Sequence, residues 1–193
     1  IPNPHGSRAI SLSERQILTL RERNRALEWQ LADLARNASS NESIGARVSQ
    51  WCCRLLAETD TQALPEAITQ GLAEQFKLEH IGLRLWNLSE QPDSGYGEAV
   101  SSDVRTFTDS LKTPYCGNDT NFEAVSWLVS KPQSLALIGQ RLHDDGPSVG
   151  LLVLGSDDAQ RFAPDIGTEF LQSIGKLGSA CLHRLHRASD DAA

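Results

Sequence analysis

At 193 residues, with 39% apolar and 22% charged side chains, the chain has room for one ordinary globular domain plus an appendage, and enough apolar surface for a real core. A net charge of −7 and a pI near 5.2 argue against a duplex or an anionic membrane as partner, since either would call for a basic footprint. No run reaches the ~18 apolar residues of a membrane span, and no secretory signal pattern opens the chain.

The four cysteines, Cys52, Cys53, Cys116 and Cys181, show no C-x-x-C spacing. In a chain of this length they read as reduced, mostly buried thiols of a cytoplasmic protein.

Residues 1–10, with Pro2, Pro4 and Gly6, read as a disordered leader. Ser11 and Glu14 form a capping box that opens a helix. From there Ile17, Leu20, Asn24, Leu27, Leu31, Leu34 and Ala38 recur at spacings of three and four, an a/d heptad seam with Asn24 at an a position. Arg23 then falls at g and Glu28 at the following e, facing each other across a parallel two-stranded coil. The same stripe could lie on the chain's own domain. The narrow seam and the charged opposite face (Glu14, Arg15, Arg21, Glu22, Arg25, Asp33, Arg36) favour a second copy, so residues 11–40 are assigned as a coiled-coil helix and the protein as a homodimer.

Asn37 to Ser43 interrupts the pattern, as a frayed hinge or a register shift, before Ile44, Val48, Trp51 and Leu55 resume it in a new phase. Cys52 and Cys53 flank this stripe as packing residues. Pro65 suits the first turn of a helix carrying Ile68, Leu72 and Phe76. His80 to Trp86 alternates as a strand: Ile81, Leu83 and Leu85 face a core, while Gly82, Arg84 and Trp86 form a mixed face able to line a cavity.

A polar loop covers Asn87 to Gly97. Val100 to Leu111 is a strand end or a short helix, and the spacing of Val104, Phe107 and Leu111 favours the helix. Thr113 to Gly117 is a turn, and Phe122 to Val129 a short helix. Gln133 to Leu142 and Val149 to Gly155 (V-G-L-L-V-L-G) are strands joined as an antiparallel hairpin, the second short and apolar enough to be buried on both faces. A final helix carries Phe170, Ile174, Leu177, Cys181 and Leu185. Its Gly167, Gly175 and Gly178 would admit a neighbouring helix, and Arg184, His186 and Arg187 complement its C-terminal dipole. Residues 41–187 thus form the globular domain and residues 188–193 a loose acidic tail.

This order gives an α+β fold, an antiparallel sheet flanked by helices. The hairpin ending G-L-L-V-L-G-S, followed by Arg161-Phe162 and a terminal helix, resembles the closing half of GAF domains, the ligand-sensing fold related to PAS domains. Ser11-Leu-Ser-Glu-Arg-Gln, Leu20-Arg-Glu-Arg-Asn-Arg, Arg36-Asn-Ala, Asn41-Glu, Pro114-Tyr-Cys-Gly117, Gly150 to Ser156 and Gly167-Thr-Glu-Phe-Leu171 together resemble a bacterial GAF-like family, domain of unknown function four-eight-four. The resemblance covers nearly all the chain after Ile10. It implies a GAF-like fold behind a helical leader and no established activity, ligand or catalytic residue.

Four residues are ligand-binding candidates. Arg84 and Trp86 could hold an anion and stack a ring; Tyr115 and Cys116 sit on a loop, where function often lies. In the bland alternative, Tyr115 and Cys116 plug the core edge and Arg84 lies beneath a loop. His143-Asp144-Asp145 reads as a hairpin turn. Cys181, His183 and His186 do not converge as metal ligands. Some GAF domains act on free methionine sulfoxide through cysteines, but that chemistry needs a resolving partner, which the spacing does not show. The expectation is a non-enzymatic, cytoplasmic, homodimeric sensor with room for a small-molecule ligand and no nucleic-acid or membrane partner. Its alternatives are a ligand-free dimerisation scaffold or a Cys116-dependent redox enzyme. No cofactor can be named from the sequence.

Overall fold

The long N-terminal helix does not break where its heptad pattern does. In the computed structural model, which describes residues 12–88, 95–97, 99–118, 121–143, 145–164 and 168–188 (side chains to 185), α1 runs without interruption from Leu12 to Ala57. Asn37–Ser43 is therefore helical: the frayed-hinge alternative fails, and the unbroken helix agrees with a register shift. Asn and Ser cost only a few tenths of a kcal/mol each inside a helix, and no proline falls there to stop it. The leader, Ser11 of the capping box and the tail beyond Ala188 lie outside the described residues. The chain divides into two units, Ile1–Ile44 and Gly45–Ala193, with the division inside α1. In the first unit every described residue up to Ser43 is exposed.

In the second unit, α2 (Leu64–Phe76) carries Pro65 in its first turn and ends on Lys77 in the left-handed conformation. β1 (His80–Leu85) follows, then α3 (Ser102–Ser110), which confirms the helical reading of this stretch. Its N-cap is Ser101, whose side chain accepts from the Val104 amide at 3.3 Å. The expected turn at Thr113–Gly117 ends in a three-residue strand, β2 (Tyr115–Gly117), and the short helix after it is a 3₁₀ turn, Glu123–Trp127. β3 (Ser134–Arg141), β4 (Ser148–Ser156) and α4 (Glu169–Ala188) complete the order.

The four strands form one antiparallel sheet in the order β1-β4-β3-β2. β4 is central, and all nine of its residues are buried, as an unbroken apolar run between turn residues requires.

Register assigns the two faces. Leu85, Leu83 and Ile81 stand opposite Gly150, Leu152 and Leu154, and these stand opposite Gln140, Ile138 and Ala136. This face meets α4, where Gly175 and Gly178 lie against Ile138 and Gln140. Gly175 and Gly178 therefore admit a strand, not the helix expected from sequence, while Gly167 lies outside the described residues. Beside it, the Trp51 ring lies against Gly71 and its Nε1 donates to the Ile68 carbonyl at 3.3 Å, packing the end of α1 on α2.

Arg184 also departs from expectation. Its guanidinium donates to the carbonyls of Leu55 (3.1 Å) and Glu58 (2.7 Å), so it caps the C-terminal end of α1, not that of its own helix. The other face gathers Leu135, Leu137, Leu151 and Val153 with Trp86, Val100, Val104, Ala124, Val125 and Leu128 beneath α3 and the 3₁₀ turn.

Candidate functional site: the two sheet faces and the open edge of β3

Alternation along β1 puts Arg84 and Trp86 on the α3 side, and that side is filled. Trp86 is only 3% exposed and belongs to the core cluster, with the Arg105 guanidinium 5.8 Å from its ring centre. The expected cavity-lining residue is instead a core residue, because α3 and the 3₁₀ turn fold down over it. Arg84 reaches sideways: its Nη1 donates to the Gly95 carbonyl at 3.1 Å, and its guanidinium lies 5.7 Å from the Trp127 ring centre.

At the far side of the sheet, Tyr115 packs edge-on against Phe122 (5.2 Å between centroids), which in turn meets Phe107 at 5.2 Å. Cys116 points the other way. It pairs with Ala136, on the face shared with Ile138, and burial raises its thiol pKa. β1 and β2 occupy opposite edges of the sheet, so the fold does not bring the four candidates together. Tyr115 and Trp86 share one apolar cluster, and Cys116 lies behind it.

Two ionisable groupings have other partners. His80 is buried, with Nε2 3.1 Å from Asp157 Oδ1 and Nδ1 3.4 Å from Ser130 Oγ, which ties the start of β1 to the end of β4 and to the segment before β3. His183 stacks edge-on against His143 at 5.7 Å, while Cys181 is buried with its pKa raised chiefly by desolvation. The four cysteines are free thiols.

Open volume lies elsewhere. A cavity of about 390 Å³ sits beside β3, walled by the segment Leu111–Pro114, by Ile138, Gly139, Arg141 and Leu142, and by α4 from Gln172 to Ala180. None of the four sequence candidates lines it. β2 pairs only with Leu135–Leu137, so β3 runs on past it with no strand on that edge, and Leu111–Pro114 lies across the cavity from it.

The cavity's cations come from three separate segments: Lys112 before β2, Arg141 at the end of β3 and Lys176 on α4. Arg141 is held in place, its Nη2 donating to the carbonyls of Thr108 (2.8 Å) and Asp109 (3.0 Å). Asp109 in turn accepts from the Ser148 amide at 2.7 Å. The Ser148 hydroxyl and amide facing it hold this carboxyl below its ordinary value, with Arg141 and Lys112 adding to the effect. The sequence carries no local signal of this site, because Lys112, Arg141 and Lys176 stand in three separate segments.

Three comparisons bear on what this arrangement is. The sequence model for a protein family of unknown function, DUF484, matches residues 1–186. No curated protein sequence matches. Among solved structures, the chain is similar to the GAF domain of a protein described as a sensor histidine kinase from Pseudomonas syringae pv. tomato. The identity is 19% and the TM-score 0.51, over 82% of this chain and 98% of that one. It is also similar to the GAF domain of the potassium sensor histidine kinase KdpD from Escherichia coli, at 12% identity and a TM-score of 0.50, over 77% and 99% of the two chains.

Proposed function

The chain belongs to the DUF484 family and has an α+β GAF-like fold, and from that premise we propose that it is a non-enzymatic regulatory domain. In this reading it acts as a homodimer joined through α1 in the cytoplasm, with a small molecule as its input. One observation carries the proposal. In the single chain the heptad seam of α1 is open to solvent, with Leu20 61%, Leu31 65% and Leu34 64% exposed, and Ile17 and Leu27 about half. A row of large apolar side chains at a/d spacing, interrupted by the polar Asn24, has the form of a parallel two-stranded coil awaiting its partner. The solved relatives' GAF domains belong to sensor kinases, which supports a signalling role.

The alternatives draw less support. The Cys116 thiol is half-buried with a raised pKa, the reverse of the depressed value a nucleophilic or redox-sensing thiol requires. The free state of all four cysteines is in keeping with a reducing compartment, and no described helix is long and apolar enough to cross a membrane.

Light scattering on the full chain tests the interface. The unaltered chain is expected to be dimeric, and Leu27→Lys with Leu31→Lys to be monomeric with its circular dichroism preserved. A doubly substituted chain that stayed dimeric would overturn the assignment of the seam.

A further inference from the structure

The open edge of β3 is more than a gap in the sheet. The Trp86 amide donates to the Val149 carbonyl at 2.8 Å, which fixes which residues of β4 bond to β1 and which to β3. Carried across the register, this alternation turns Ile138 and Gln140 toward β4 and Gly139 the other way, up to the irregularity between Gln140 and Arg141. Beyond it, the Arg141 amide donates to Ser179 Oγ of α4 at 3.1 Å. Gly139, whose amide shares that direction, also lines the cavity, and the space its side chain would fill is taken by Arg141 Nη1 and Thr108.

The cavity therefore gathers Lys112, Arg141 and Lys176 around a backbone donor, with Thr113, Gln172 and Ser179 as neutral polar groups. No carboxylate is among its lining residues. In a protein of net charge −7, this is a local inversion of sign, with Asp109 the adjoining counter-charge beside Lys112 and Arg141. The rest of the lining is aliphatic, from Leu111, Pro114, Ile138, Leu142 and Ala180, and it contains no aromatic ring on which a nucleobase could stack.

We propose that this cavity binds a compact aliphatic anion carrying two or more negative charges, a polycarboxylate or a small phosphate. Arg141 is pre-positioned by its carbonyl contacts, so its charge is present without further ordering. The two lysines are flexible point charges that close on the ligand from opposite walls. A few hundred Å³ suits a molecule of this size. The bound anion would touch the segment before β2 and the middle of α4 together. The assignment supplies a ligand class for the regulatory reading, yet stands apart from it in test: a monomeric chain would sink the homodimer, while binding is read separately.

The experiment is isothermal titration calorimetry on the full chain at constant ionic strength, with citrate, inorganic phosphate, sulfate and a cyclic purine nucleotide as probes. Saturable one-to-one binding of citrate or phosphate is expected, tighter than sulfate, and the stronger of the two tells polycarboxylate from phosphate chemistry. Lys112→Ala and Lys176→Ala, both exposed and checked for unchanged circular dichroism, should each weaken it roughly tenfold. The proposal is overturned by absence of saturable binding, by sulfate binding equally well, by unchanged affinity in both variants, or by the nucleotide binding more tightly with the same dependence on the two lysines.

Discussion

Gly175 of α4 stands so close to Ile138 of β3 that a Cβ on the glycine would meet the isoleucine Cγ2 at 2.8 Å. The helix rests its backbone on the strand at this point, and both residues line the cavity. Helix propensity favours alanine over glycine by about 1 kcal/mol, whereas overpacking a buried contact costs about 1–3 kcal/mol. Gly175→Ala should therefore lose about 1 kcal/mol net and lower Tm by roughly 2–4 °C in calorimetry. Ile138→Ala in the same chain should remove the penalty of the glycine substitution, visible as non-additivity in a double-mutant cycle.

Trp86 separates a packing role from a binding role. With its ring buried in the apolar cluster, Trp86→Ala should destabilise by about 3–5 kcal/mol in urea denaturation. Trp86→Phe, which keeps an apolar ring, should retain most of the stability. A surface ligand residue would show a small loss in both.

Acid should weaken the tie between α3 and the hairpin. The folded-state pKa of Asp109 lies below its ordinary value of 3.8, so its contribution to stability is complete above that value and is lost as pH falls through the lower folded-state one. Asp109→Asn should thus be destabilising at pH 7, and the gap to the unaltered chain should narrow near pH 3. Urea midpoints at the two pH values give the comparison.

The thiols should react in order of exposure and ionisation. Cys53 is exposed, whereas burial raises the pKa of both Cys116 and Cys181. Under limiting iodoacetamide at neutral pH, peptide mass spectrometry should find Cys53 modified first, with Cys116 and Cys181 lagging. A Cys116 that reacted fastest would revive the redox reading.

Asn24 sets a final expectation. Replacing a buried a-position Asn by Leu strengthens a coil while relaxing its choice of register and strand number. Asn24→Leu should raise the thermal midpoint of the helix and admit species larger than a dimer in sedimentation velocity.

What could be read from the residues follows from what each pattern constrains. Val149–Gly155 was legible as a central strand because an apolar run leaves only one environment that satisfies every side chain. Alternation correctly divided Leu83 and Leu85 from Arg84 and Trp86. It could not say what covers the second face, which depends on α3 and the 3₁₀ turn, neither of them paired with β1 in the sheet. At Asn37–Ser43 the residues left a hinge and a register shift both open, because a heptad reports a seam between surfaces, and a helix persists where its seam ends. The cavity was illegible for a different reason. Lys112, Arg141 and Lys176 belong to three segments far apart in sequence, and only the shortness of β2, three residues beside eight, brings them round one space.

The placement of β4 also bears on how the chain comes into being. Among the described strands, β1 pairs only with β4 and β2 only with β3, so β1 has no strand partner until β4, the last of the four, has been made. α1, by contrast, contains its own backbone bonds and is finished early. If the homodimer proposed above forms, two growing chains would have helices able to find each other while their sheets were still incomplete. The sheet, whose strands pair across long stretches of sequence, would set the pace of folding.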